Sequence, residues 1–398
     1  MTTYNSVKKL SIYLQIIINY GTIILLKGRK NMQVICEGLD LSDAVIKVSK
    51  AIPNKTTNPI LEGIKIVARE DTLTLSATDL DLSIEKKIKA DVKIEGEVVI
   101  PGRFFSEFIK KLSNEKIELE LSDKNQLKIK YIDSESFIQC FVSDEYPSFN
   151  NVNGTNVFSI TSENLKNLIN KSIFSVAVDD SRPILKGALF EIGQNTVKAV
   201  ALDGYRLALV TEPILSSTIN GGVIIPARSL SEISKLLGDS DEIVNVYVDK
   251  KYLMIDIGDT KVTTRILEGD FLNYKQIIAN EFSTEITINR TQLLDALDRA
   301  SLLSKVGQNN LVKFDIKENT LLLTSNSEIG NIKENISISI EGKDIFIAFN
   351  ARYFMEAFRT ITDDFVKIKF NSPSNPCVVV PATDSSEYLY LILPVRII

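Results

Sequence analysis

Through most of the chain apolar side chains alternate with polar ones, and at six places their spacing lengthens to three or four residues. A period of two turns one face of a strand toward a core, and the longer period does the same for a helix. From Met32 the pattern predicts a strand at Gln33–Glu37. A helix from Ser42 to Ala51 follows, with Ser42 as N-cap and Ala44, Val45, Val48 and Ile52 on its apolar side. Turn-prone Pro53–Pro59 leads to strands at 63–69, 72–78, 82–88 and 96–100. A helix at 104–112 and strands at 116–121, 127–131 and 136–142 complete the unit. The order then recurs, with helices predicted at 165–177, begun by Ser162 and Asn164, and from Ser229. A third round has helices at 291–304 and 352–360 and ends on strands at 365–370, 377–381 and 389–395.

The joint between strand and second helix makes the repetition plain. Val-Val-Ile-Pro-Gly-Arg-Phe-Phe-Ser-Glu-Phe from Val98 returns as Val-Ile-Ile-Pro-Ala-Arg-Ser-Leu-Ser-Glu-Ile from Val223. It returns again as Phe-Ile-Ala-Phe-Asn-Ala-Arg-Tyr-Phe-Met-Glu-Ala-Phe from Phe346, without the proline. Arg103, Arg228 and Arg352 recur at intervals of about 125 residues, a period that suits a whole small domain rather than a solenoid repeat. The expected architecture is α+β, one two-helix module written three times. Polar, turn-prone stretches at Asn150–Thr155 and Asn280–Thr284 set the expected modules at 32–152, 153–283 and 284–398.

Residues 1–31 differ from the rest. Leu10 to Leu26 is apolar, but Gln15, Asn19 and Tyr20 interrupt it, and no small-residue cleavage site follows. The expectation is a leader or disordered extension, with Met32 as the true first residue. The alternative is a signal or anchor.

Composition narrows the chemistry. The 398 residues contain no histidine, which removes His-based nucleophile activation, His general bases and His-ligated metals. Cys36, Cys140 and Cys377 lack metal-ligand spacing and read as reduced buried thiols of a cytoplasmic protein. No tight acidic cluster, phosphate loop or nucleophile elbow stands out, so no catalytic residue, metal or cofactor is expected. Two other readings stay open at this point: an enzyme using carboxylates, and a membrane-tethered adhesin if residues 1–31 are an anchor.

The net charge of −5 does not forbid a basic surface confined to one face. The first helices carry Lys47 and Lys50, Lys166 and Lys171, then Arg299 and Lys305. The second helices carry Arg103, Lys110 and Lys111, Arg228 and Lys235, then Arg352 and Arg359. Lys55 and Arg182 lie on the links. Acidic residues share these helices, and solvated amphipathic faces would look similar. Cations at matching positions of three copies, however, can form a track that reads phosphate backbone without base specificity.

Taken in order, these motifs resemble the bacterial DNA polymerase III beta subunit family over Met32–Ile398. They are Asn58-Pro59-Ile60-Leu61, Thr78-Asp79-Leu80, Ile100-Pro101-Gly102-Arg103-Phe104-Phe105 and Asp144-Glu145-Tyr146-Pro147. Ala201-Leu202-Asp203-Gly204-Tyr205-Arg206-Leu207, Ile225-Pro226-Ala227-Arg228, Gly269-Asp270-Phe271-Leu272-Asn273-Tyr274 and Leu393-Pro394-Val395-Arg396 complete the set. The resemblance implies the DNA clamp fold, three two-helix, two-sheet modules, and a head-to-tail homodimeric ring of six modules around duplex DNA. Such a ring is non-catalytic, binds DNA without sequence preference, and carries the polymerase alpha subunit, the clamp loader and other proteins bearing the clamp-binding peptide.

For that peptide it implies a groove on Leu185, Leu202, Gly204, Tyr205, Arg206, Leu207, Leu272, Gln276, Ile277, Leu391, Leu393, Pro394, Val395 and Arg396. Arg206 and Arg396 would orient the peptide, and core packing is the alternative for Leu202, Leu207, Leu391 and Leu393. For DNA it adds support to Lys55, Arg103 and Arg228, beside Arg182 and Arg352. For the subunit interface it implies Phe137 and Ile138 against Leu302 and Leu303. Leu202, Tyr205, Leu272 and Gln276 depart from residues common in the family (Thr, His, Pro and Arg), which predicts an altered peptide preference.

Overall fold

The computed structural model describes residues 31–122, 124–149, 152, 156–179, 181–279, 281–304, 310–383 and 385–396. The extension expected at 1–31 thus lies, up to residue 30, outside the described residues, as does Lys305.

Six α-helices occur among the described residues: α1 Gly38–Val48, α2 Gly102–Ile109, α3 Ser162–Asn170, α4 Ala227–Ser234, α5 Arg290–Ser304 and α6 Ala351–Phe358. They pack in consecutive pairs, α1 on α2, α3 on α4 and α5 on α6, the expected helix pair seen three times. Helix α1 starts four residues before the predicted Ser42, which is buried inside it. A Cβ on Gly38 would lie 2.3 Å from the Leu112 carbonyl oxygen and 2.5 Å from that of Glu115, so only glycine fits there. Helix α3 ends at Asn170 rather than 177, where the Ser172 hydroxyl donates back to the Leu168 carbonyl at 2.7 Å.

Helices α2 and α4 begin after Pro101 and Pro226, whose rings fix φ near the required value. At α6 the missing proline is replaced by Asn350, whose side chain accepts from the Arg352 amide at 3.0 Å.

The chain divides into two compact units, the first formed by residues up to Phe149 with Asp259–Val262, the second by Asn150–Gly258 with Thr263–Ile398. In the first unit one antiparallel sheet has the order Asp91–Ile94, Met32–Glu37, Lys116–Ser122, Gln126–Tyr131, Ser134–Gln139. Gly96–Pro101, Gly63–Arg69, Thr72–Thr78 and Leu82–Lys89 pair in that order in another. Phe105, Ile109, Leu41 and Val45 fill the core beneath α1 and α2.

Two repeats form a single unit in the second half because they share a sheet of 12 strands. The seam is Arg206–Pro213 against Tyr388–Ile392, with Arg206 opposite Ile392 and Leu207 opposite Leu391. Antiparallel backbone hydrogen bonds therefore run directly across the junction of the two repeats. Phe314, Phe349, Phe354 and Phe358 make the aromatic core under α6.

Candidate peptide groove and nucleic-acid surface

At this seam the expected groove residues come together. Leu185, Leu202, Leu207 and Leu391 join Ala177, Val200 and Tyr274 in one buried cluster, with Leu393, Phe271 and Ile278 half-buried against it. Leu202, Leu207 and Leu391 are core, since successive strand residues face opposite sides and these face inward. They form the floor of an apolar surface rather than its open walls.

The open apolar groups are Leu272 and Ile277, 40% and 43% exposed, beside exposed Gln276. A 3₁₀ turn at Tyr274–Gln276 holds them, turning Tyr274 into the floor while its hydroxyl donates to Glu191 Oε2 at 2.6 Å. Burial first, then the carboxylate beside it, raises the Tyr274 phenol, so it stays a neutral donor. Sequence reading missed Tyr274, Phe271 and Ile278. No periodic signal marks them, because the 3₁₀ turn is only three residues long and Ile278 lies beyond it.

Gly204 and Tyr205 form the tip between two strands. Asp203 Oδ1 accepts from the amides of Tyr205 (2.9 Å) and Arg206 (3.0 Å), and Gly204 has φ +92°. No heavy atom lies within 4 Å of a Cβ built there, so the glycine answers to backbone conformation, not space. Tyr205 is 61% exposed and stacks on Tyr353, ring centroids 6.1 Å apart.

Arg206 departs from expectation. It is buried at 6% exposure, donates from Nε to Asp203 Oδ2 at 3.0 Å and from Nη1 to Glu356 Oε2, and lies over Tyr353 and Phe174. Its Nε and Nη1 are engaged by carboxylates, which hold the side chain at the groove rim. Burial opposes ionisation of Glu356, but hydrogen bonds from Arg352 and Arg206 outweigh it and hold the carboxyl below its ordinary value.

The chain end crosses the same region. The Leu393 amide donates to the Tyr205 carbonyl at 2.9 Å and the Val395 amide to the Ala348 carbonyl at 2.8 Å, with Pro394, which has no N–H, between them. Leu393, Pro394 and Val395 are half-buried and Arg396 is exposed. Their other side borders a cleft of about 1060 Å³ against Phe346 and the Asn371–Pro376 loop.

Of the expected cations, Lys55 and Arg103 in the first unit and Arg182, Arg228 and Arg352 in the second are all exposed. Arg103 Nη2 also donates to the carbonyls of Pro53 (2.8 Å) and Asn54 (3.0 Å), fixing the link that carries Lys55. Arg352 Nε donates to Glu356 Oε1 at 2.6 Å. Among the expected interface residues, Phe137 is 53% and Leu302 64% exposed, and Leu303 is half-buried. Ile138 is 7% exposed and faces Leu127 across its sheet, so its side chain belongs to the core; neighbours on a strand cannot both face a partner. Ser134–Gln139 is an edge strand.

Among the described residues no group of three or more acidic or cysteine side chains could hold a metal, and no helix is long and apolar enough to cross a membrane.

Residues 32–150 match the family model of the DNA polymerase III beta subunit, N-terminal domain. Residues 159–273 match that of its central domain and 275–396 that of its C-terminal domain. The chain is 33% identical over 357 residues to the beta sliding clamp of Staphylococcus epidermidis, covering 87% of this chain and 94% of that relative. It is 33% identical over 368 residues to the beta sliding clamp of Bacillus subtilis, covering 89% and 97%. The crystal structure of the DNA polymerase sliding clamp from Bacillus subtilis matches with a TM-score of 0.89 at 31% identity, over 92% of this chain and 100% of that one. Three domain models of one family thus follow one another along the three helix pairs, and the chain belongs to the DNA polymerase III beta subunit family.

Proposed function

We propose that this chain is a sliding clamp, a non-catalytic cytoplasmic processivity factor whose two copies close head-to-tail around duplex DNA. The observation that carries this is the in-order match of N-terminal, central and C-terminal domains onto three repeated helix pairs. The modules run 32–152, 153–283 and 284–398, after the extension at 1–31. Exposed Lys55, Arg103, Arg182, Arg228 and Arg352 meet phosphates without reading bases. The polymerase alpha subunit, the clamp loader and other replication or repair proteins dock short peptides on the seam. Their Leu and Phe anchors meet Leu272, Ile277, Leu393, Pro394 and Val395 over the floor of Leu185, Leu202, Leu207 and Leu391, while Gly204, Tyr205, Gln276 and Arg396 form the rim. Copies join through Phe137 on one and Leu302 with Leu303 on the other, beside the backbone at Ile138.

The test compares DNA forms. After loading with a matched clamp loader, the chain should stay on nicked circular duplex and fall off once that circle is linearised. Equal loss from both would overturn the ring.

A further inference from the structure

Glu356 is shared between two arginines of different surroundings. Its Oε2 accepts from Arg206, buried at the seam, and its Oε1 from Arg352, whose side chain is 64% exposed. Arg206 lies over the Tyr353 ring, 4.8 Å from its centroid, and Tyr353 stacks on Tyr205 at the groove rim. On the other side Arg352 and Glu356 line an open cleft of about 420 Å³ between α5 and α6, together with Arg359. Arg359 makes a loose ion pair to Asp298 at 3.6 Å. One carboxylate therefore touches the side chain that sets the rim and the side chain offered to a phosphate.

We propose that Glu356 couples the two surfaces, so that a DNA phosphate in the α5–α6 cleft tightens peptide binding at the seam. This rests on the clamp reading above. A phosphate is a stronger acceptor for an exposed guanidinium than a carboxylate already shared with a second arginine. Once Arg352 turns to the phosphate, the Glu356 carboxylate is left to Arg206 alone. That fixes Arg206 over Tyr353 and, through the ring stack, pre-organises Tyr205 at the rim. Pre-organisation removes ordering entropy that the peptide would otherwise lose on binding. Linkage makes the effect reciprocal, so peptide must tighten duplex binding by the same factor. Glu356 is thus a positioning residue that acts through Arg352 and Arg206.

The experiment titrates a fluorescein-labelled peptide with Leu and Phe anchors into the full chain at low salt, with and without saturating short linear duplex. For the wild type the duplex should lower the peptide Kd about fivefold, the low end of ordinary coupling. Arg352→Gln frees Glu356 for Arg206 without DNA, so it should show the tighter Kd in the absence of duplex. A protein in which Arg352 has a DNA role alone would keep the wild-type value. Glu356→Gln should abolish the duplex effect. Wild-type peptide binding that ignores duplex, an Arg352→Gln variant at the wild-type Kd, or a duplex effect that survives Glu356→Gln would overturn the coupling and leave the clamp reading standing. A wild type that binds neither peptide nor duplex overturns both.

Discussion

Arg206 shows how a residue can be placed correctly by sequence and still be misjudged in its work. The run Leu202–Leu207 marks it as part of the seam, but its partner Glu356 is 150 residues away and only the folded sheet brings them together. Removing the guanidinium leaves Asp203 and Glu356, 14% and 24% exposed, without their shared cation. Arg206→Ala should therefore destabilise the second unit by about 2–4 kcal/mol, toward the low end for a broken buried pair because the carboxylates keep some water. Chemical denaturation monitored by circular dichroism measures it, and an unchanged midpoint would contradict the assignment. Glu212 gives the opposite sign. Burial first, with Glu387 and Glu163 beside it and Lys171 opposing, pushes its carboxyl up to about 7. A raised carboxyl binds its proton more tightly when folded, so its stabilisation is complete below the ordinary value of 4.5 and is lost as pH rises toward 7. Glu212→Gln should thus stabilise the chain at pH 8, by about 1–2 kcal/mol after allowing for solvent screening, and do little at pH 4.5. Paired melts at the two pH values decide it.

Elements were more legible than their ends. The six helices and most strands follow from periodicity, which reports which face is buried, but the strands Asp91–Ile94 and Arg206–Pro213 were not read from it. Their starts depend on groups periodicity does not see, such as the carbonyls of Leu112 and Glu115 around Gly38. One tight turn occurs in two modules and separates backbone demand from side-chain choice. Asp79 Oδ1 accepts from the amides of Asp81 (3.1 Å) and Leu82 (2.7 Å), as Asp203 does from Tyr205 and Arg206. The second residue of the turn is Gly204 at φ +92° in one and Leu80 at φ +81° in the other. Leucine there carries a left-handed penalty of about 1–2 kcal/mol, offset in part because glycine costs about 0.5–1 kcal/mol in chain entropy. Leu80→Gly should be neutral to slightly stabilising and Gly204→Leu destabilising by about 1 kcal/mol, measured as thermal midpoints. The 3₁₀ strap is a second element with a defined tether. Tyr274→Phe removes its bond to Glu191 at a cost of about 1 kcal/mol. It should weaken anchor-peptide binding several-fold by fluorescence polarisation while circular dichroism stays unchanged, since Leu272 and Ile277 ride on that strap.

At the scale of the whole molecule, the triplication was visible in the arginine turns, whereas the merging of two repeats into one unit was not. That merging depends on which strand edges meet, here Arg206–Pro213 with Tyr388–Ile392, and edges carry no mark in a single sequence. The same physics governs self-association. Ser134–Gln139 ends its sheet with one row of backbone groups unpaired, and an edge bearing an exposed Phe137 is a template for another chain. Leu302 is the most exposed apolar residue of α5. The chain should therefore run at twice its own mass by light scattering at low micromolar concentration. Phe137→Asp and Leu302→Asp should each return it to single-chain mass with secondary structure intact, because both side chains stand in water in the free chain. Ile138→Asp, one residue along, should instead lower the melting point of the first unit, because it puts a charge where 7% of the side chain meets solvent. The three variants separate an interface from a core. If Phe137→Asp kept the double mass, the copies would meet through another edge. If Phe137→Asp halved the mass but left retention on circular DNA unchanged, a closed ring would not be what holds this protein on DNA.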